Sequence, residues 1–223
     1  MTYATGINAL LDLKNGKIAA GSADNKVTIW SVVTGQLLSQ LSGHGQPVIS
    51  LAYISSTLIS SGSFGSSGSA SIIFWNTTTL TSFGNTITGA FDNTYTIILL
   101  PNGYLASGHL DKKIRVWNIT SQTELSYSPL SGPNDAVRGM GILPNNYLCT
   151  ASRDSKIMYW DMDYVPPTTT TPNTTQAPNT TTTTTAYRNL TTVIANNGSY
   201  SSLYNEKIYF KLFHMILFFM IYY

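Results

Sequence analysis

The sequence predicts an all-β fold of four consecutive antiparallel meanders, each of about four strands. Three observations carry this. Up to about residue 165, apolar runs of four to six residues alternate with Gly, Ser and Asn clusters, as at 27–30, 50–54, 96–100 and 113–117. Such runs, rich in Ile, Val and aromatics and bounded by turn formers, read as strands. No window of eleven or more residues keeps a helical stripe. Four runs close on tryptophan, at Trp30, Trp75, Trp117 and Trp160, with spacings of 45, 42 and 43 residues. A fixed period in the low forties is the mark of an internal repeat.

Each element follows from the same reasoning. The first unit is expected to place strands at 7–13, 17–22, 26–31 and 36–41, and the second at 48–53, 57–61, 71–76 and 82–86. The third takes 94–100, 104–108, 113–118 and 123–128, and the fourth 137–143, 147–151 and 156–161. Lys14-Asn15-Gly16 and Pro101-Asn102-Gly103 join first to second strands with residues that tolerate positive φ, and Pro144-Asn145-Asn146 does the same job less well. The second unit departs from the pattern in its long Gly/Ser loop, 62–70.

Those Trp-ended runs resemble WD40 repeats, over about residues 7–163. The blades fall at about 1–43, 44–89, 90–132 and 133–163. The resemblance implies a β-propeller segment and gives roles to several residues. Asp24, Asp111 and Asp154 stand six places before their tryptophans, where the family sets an Asp in the turn between second and third strands. Gly43-His44 resembles the Gly-His pair whose imidazole links that Asp, a hydroxyl and the indole. Ser107 and Thr150, ten places before Trp117 and Trp160, fit the hydroxyl role; Ala20 does not. Ser61 and Trp75 belong to the same network in the second unit. Only Trp160-Asp161 keeps the terminal Trp-Asp dipeptide. The fourth unit lacks an outer strand on this reading, and seven blades would need roughly 280 residues. Four units could close a small ring, but a half-ring is expected, as a fragment or, second, as a chain that completes a ring by pairing with another.

Past Val165 the texture changes. Twelve threonines lie between Thr168 and Thr185, and four prolines, Pro166, Pro167, Pro172 and Pro178, punctuate the tract. Such a tract (166–187) buries too little to repay its ordering entropy and is expected to be a disordered linker. The tail, 188–223, ends in a strongly apolar stretch, 208–223, broken by Lys211 and His214. Its composition also matches translated AT-rich sequence. Sixteen residues are short for a span, so a tether through this stretch ranks behind a disordered tail, and a lipid anchor ranks third.

Charge and chemistry limit the function. Charged residues make up 10% of the chain and the net charge is +2, with none of it before residue 166. A nucleic-acid binder usually carries a basic stripe, so none is expected. One cysteine, Cys149, excludes an internal disulfide, and three scattered histidines leave no metal cluster. No cofactor is expected. Ser107, Asp111, His44 and His109 could suggest a hydrolytic set, but the first three fall on structural positions of the family. The sequons at Asn76, Asn118, Asn173, Asn179, Asn189 and Asn197 are what Asn- and Thr-rich composition gives by chance. No leader is visible, so a cytoplasmic chain is expected, with membrane association through 208–223 as the alternative.

The expected function is a non-catalytic protein-interaction scaffold. Its candidate partner-binding rim, on the loops between second and third strands, holds Lys26, Phe64, His109, Lys112, Lys113 and Arg153, with Arg138 nearby. The rim suits a protein or peptide, acidic or phosphorylated. A membrane-tethered recognition module and a regulatory subunit of an enzyme complex, such as a ubiquitin ligase, are the alternatives.

Overall fold

The computed structural model describes residues 5–66, 68–89, 91–126, 128–144, 146–162 and 189–194. The Thr-rich linker 166–187 and the apolar stretch 208–223 lie outside the described residues. All regular elements among the described residues are strands, arranged as four antiparallel sheets.

Blade 1 is β1 (Ile7–Asp12), β2 (Lys17–Ser22), β3 (Lys26–Ser31) and β4 (Leu37–Ser42). Blade 2 is β5 (Val48–Ser55), β6 (Leu58–Ser63), β7 (Ser71–Asn76) and β8 (Thr81–Thr88). Blade 3 is β9 (Thr94–Leu99), β10 (Leu105–His109) and β11 (Lys113–Asn118), edged by β12 (Thr123–Glu124) and β13 (Leu130–Ser131). Blade 4 is β14 (Val137–Ile142), β15 (Leu148–Ser152), β16 (Lys156–Trp160) and β17 (Asn189–Ile194).

The alternation of side chains sets the stacking. On β7, Ile73 and Trp75 face blade 1 and pack with Ala19, Val27 and Ile29, while Ile72 and Phe74 face blade 3. Trp117 faces blade 2 and Trp160 faces blade 3. Trp75, Trp117 and Trp160 thus each pack against the blade before their own, and a period of two puts both faces of each inner blade in a core. The innermost strands follow one another, β1 on β5, β5 on β9 and β9 on β14; no comparable packing returns from β14 to β1. The described residues form an arc.

Two outer strands differ from expectation. Blade 3 does not hold one strand over 123–128: β12 pairs with β11 at Trp117 and Asn118, the chain leaves, and β13 rejoins at Lys113 and Ile114. Between them Val116 N–H donates to Ser128 Oγ, so the gap is bridged by a side chain. Blade 4 has its outer strand after all. β17 comes from beyond the Thr-rich tract and pairs with β16 from Lys156↔Ile194 to Trp160↔Asn189.

The turns repeat as well. Asn25, Lys112 and Ser155, each just after the turn aspartate, take φ of 69°, 69° and 64°. Between first and second strands positive φ falls on Lys14 and Gly16, on Gly103 and on Asn146.

Candidate functional site

The four indoles are held by hydroxyls. In blade 2, Trp75 Nε1–H donates to Ser61 Oγ at 2.6 Å, and Ser61 Oγ lies 2.6 Å from His44 Nε2. His44 Nδ1 lies 2.7 Å from Ser71 Oγ, which is 3.2 Å from Ser63 Oγ. An indole can only donate, so Ser61 Oγ accepts from Trp75; which ring nitrogen of His44 donates along the Ser61–His44–Ser71 chain is set by its tautomer. A neutral ring satisfies this chain, and burial lowers the His44 pKa to about 4. Ser71 takes the place the family gives to the turn Asp, which the long loop of this blade lacks.

Blade 3 builds the chain differently. Trp117 Nε1–H donates to Ser107 Oγ at 2.7 Å, and Ser107 Oγ lies 2.7 Å from His109 Nε2. His109 Nδ1 reaches the Asp92 carbonyl at 3.3 Å. His109 was expected on the rim; it is instead fully buried at the end of β10. It lies two residues after Ser107, so the pleat turns both side chains to one face. Burial first, and the Arg115 charge second, push its pKa down to about 4. Phe91 packs on His109, with ring centroids 4.8 Å apart. Asp111 is bound by Arg115 at 2.8 Å instead of by an imidazole.

The outer blades have no imidazole in these networks. In blade 1, Ala20 offers no hydroxyl, and Trp30 Nε1–H donates to Thr28 Oγ1, two residues earlier on the same strand, at 2.9 Å. Asp24 accepts from Ser22 Oγ and pairs with Lys26 at 3.4 Å. In blade 4, Trp160 Nε1–H donates to Thr150 Oγ1 at 3.0 Å. Asp154 accepts from Ser152 Oγ, from Asn134 N–H at 2.7 Å and from Lys156 N–H at 3.2 Å. Desolvation is the largest single influence on its pKa and raises it, but these bonds and the Lys156 charge together outweigh it and leave the pKa lowered.

The loop rim divides into engaged and free groups. Lys26 is held by Asp24 and by Gln40 Oε1 at 3.0 Å, and Lys113 Nζ donates to Ser131 Oγ at 2.8 Å. Lys112 and Arg153 are exposed turn residues, with no acidic partner among the described residues. Phe64 is 48% exposed on the long loop of blade 2. That loop is pinned by Phe64 N–H to the Pro47 carbonyl at 2.7 Å and by Gly65 N–H to Asn93 Oδ1 at 2.7 Å. Asn93 Nδ2–H donates to the Tyr95 hydroxyl at 2.9 Å, and the Arg138 guanidinium stacks on the Tyr95 ring, 3.7 Å from its centroid. Asn93 and Tyr95 were missed in the sequence, where nothing distinguishes them from other strand-entry residues.

Other chemistry is thin among the described residues. No group of His, Cys, Asp and Glu there could hold a metal ion, and no helix is long and apolar enough to cross a membrane. Cys149 is buried, and its thiol is raised to about 11 by burial. A groove of about 430 Å³ between β8 and blade 3 is lined by Phe91, Arg115, Trp117, Gln122 and Glu124. Arg115 there already faces Asp111 and Glu124.

The family model described as "WD domain, G-beta repeat" matches residues 78–118 and 124–161, spanning the end of blade 2, blade 3 and most of blade 4. Periodic tryptophan protein 2 homolog of Neurospora crassa is 48% identical over 122 residues, 54% of this chain and 8% of that protein. Its counterpart in Schizosaccharomyces pombe is 32% identical over 121 residues, 54% of this chain and 9% of that protein. Protein tipD of Dictyostelium discoideum is 27% identical over 117 residues, 52% of this chain and 18% of that protein. The chain thus matches less than a fifth of the length of each of these relatives. In fold it resembles the solved structure of U3-55K, with a TM-score of 0.62, 24% identity, and coverage of 72% of this chain and 50% of that one.

Proposed function

Since the chain is a WD40-repeat protein, we propose that it is a non-catalytic interaction scaffold whose loop rim grips an acidic segment of a partner protein. The observation that carries this reading is Arg138. Its guanidinium lies flat on Tyr95 with no carboxylate paired to it among the described residues. A guanidinium fixed by its face keeps its N–H edges for a bidentate carboxylate or phosphate. Phe64 offers an apolar contact at the neighbouring blade, and Lys112 and Arg153 add positive charge that steers an acidic segment inward. The rim-turn aspartates Asp24, Asp111 and Asp154 are each paired with a cation of their own blade, Lys26, Arg115 and Lys156, which leaves Lys112 and Arg153 as surplus positive charge.

Catalysis is not part of the reading. Of the three Ser–His contacts among the described residues, Ser61–His44 and Ser107–His109 lie beneath indoles whose N–H groups bond the serine oxygens, and Ser71 is buried against His44. Under this reading the chain works in the cytoplasm, which fractionation checks. A fluorescent Glu-rich peptide carrying one Phe tests the site by anisotropy. Arg138→Glu should weaken binding at least tenfold, and the pair Lys112→Glu and Lys113→Glu should weaken it less and flatten its salt dependence. Unchanged binding in both variants ends the idea.

A further inference from the structure

One side chain of blade 3 stands where a strand would. Gln122, at the turn into β12, reaches the outer edge of β8. Its Nε2–H donates to the Phe83 carbonyl at 2.8 Å, and its Oε1 accepts from Asn85 N–H at 2.5 Å. The carbonyl of one residue and the N–H two residues on are what a neighbouring strand takes from a sheet edge. Gly84 makes room for this, since a Cβ there would strike the Gln122 amide. For one rung, the β8 edge is already paired with a primary amide.

The next rung lies in the groove between β8 and blade 3. Phe83 stands opposite Phe74 and Ile87 opposite Ile72, two places apart on β7. Pairs two apart on a strand are of the same kind, with their polar groups turned to the same edge. Phe83 turns its carbonyl outward to Gln122, so Ile87 turns its N–H and C=O outward as well. Ile87, with Thr86 and Thr88, forms one wall of the groove of about 430 Å³. On the other side β12 stops after two residues, and Arg115 and Trp117 of β11 reach the groove behind it.

The charge there is one-sided. One guanidinium, Arg115, meets two carboxylates, Asp111 and Glu124. The Arg115 side chain is 10% exposed and that of Glu124 32%, so the groove shows negative charge to solvent. Both contacts of Glu124 among the described residues fall on Oε1, from Ser128 Oγ at 2.5 Å and from Arg115 at 3.8 Å. Oε2 is the oxygen left for an incoming cation.

We infer that this groove takes an extended segment of a partner protein, added as a strand to β8 at Ile87 and carrying a basic side chain that pairs with Glu124. In this mode backbone hydrogen bonds supply affinity and the side chain supplies selection. The inference is independent of the rim, whose ligand has the opposite charge.

The probe is the fluorescein-labelled peptide Thr-Val-Thr-Lys-Thr-Val-Thr, titrated with the full-length chain and read by anisotropy. Saturable binding is expected. Methylating alternate backbone nitrogens of the peptide should abolish it in one phase and spare it in the other, because an added strand bonds through every second N–H. Glu124→Gln, which keeps an acceptor for Ser128, should weaken binding about tenfold. Thr88→Trp, at an exposed position of the wall, should block it. Arg138→Glu should leave it unchanged. The inference fails if the probe does not bind, if both methylated phases behave alike, if Glu124→Gln and Thr88→Trp leave affinity unchanged, or if Arg138→Glu alters it.

Discussion

Blades 2 and 3 anchor their tryptophans through a serine that is also bonded to a buried imidazole, whereas blades 1 and 4 use a threonine alone and spend their turn aspartates on nearby serines, lysines and backbone N–H groups. The inner pair buries titratable rings with indoles; the outer pair keeps its charges half-exposed, where solvent screens them. One repeat period therefore carries two kinds of lock. The inner lock ties together elements distant in sequence, as when His44 reaches Ser61 and Ser71. It is the lock whose buried imidazoles, lowered to about 4, respond to mild acid.

The comparison can be broken most forcefully at the indoles. Trp117→Ala removes a side chain packed between blades 2 and 3 and should cost about 3–5 kcal/mol in guanidinium unfolding. A loss below about 1 kcal/mol would show that the inner lock is not what holds the arc.

The next effect is acid. His44 and His109 fall from the usual 6.5 to about 4 in the folded chain. The folded state then binds fewer protons than the unfolded chain below pH 6.5. Their stabilising contribution is fully present above 6.5 and is lost as pH falls toward 4. Each imidazole is worth up to a few kcal/mol across that window. Asp154, with a lowered pKa, adds a loss only at lower pH, as its carboxylate protonates. Thermal unfolding at pH 7.5 and 5.0 should show a clear fall for the wild type and a flatter response for His109→Asn. An equal fall in both would remove the distinction between the locks.

Hydroxyl deletions sharpen the contrast. Ser107→Ala strands both an indole N–H and an imidazole nitrogen and should cost about 1–3 kcal/mol; Thr150→Val strands one donor and should cost about 1 kcal/mol. Equal losses would argue that the imidazole adds nothing. The smallest effect lies in a turn. Lys112 holds φ of 69° at an exposed position, and Lys112→Gly should raise stability by about 0.5–1 kcal/mol by relieving a conformation that disfavours a Cβ.

The tryptophan period and the apolar runs made the four meanders legible, because stacking imposes both. Ser107 and Thr150 were legible as hydroxyls at a fixed distance from an indole. Thr28 was not, since it replaces Ala20 from a different strand, although alternation puts it on the same face as Trp30. His109 was placed in a loop because the strand expected there ended one residue early; its two-residue spacing from Ser107 was the available signal. Ser71 stood in for a carboxylate, a substitution that only the loop geometry explains. β17 could not be read at all. A short run beyond the Thr-rich tract has no local mark that joins it to β16.

That last pairing has a consequence for how molecules exchange parts. β17 is joined to its ladder across the long stretch 161–188, a tether that favours the chain's own strand only up to an effective concentration of order mM. At high concentration, two molecules could trade these terminal strands and form a swapped dimer with every ladder intact. A proteolytic nick within 161–188 would convert the same strand into a separable peptide that a competing one could displace.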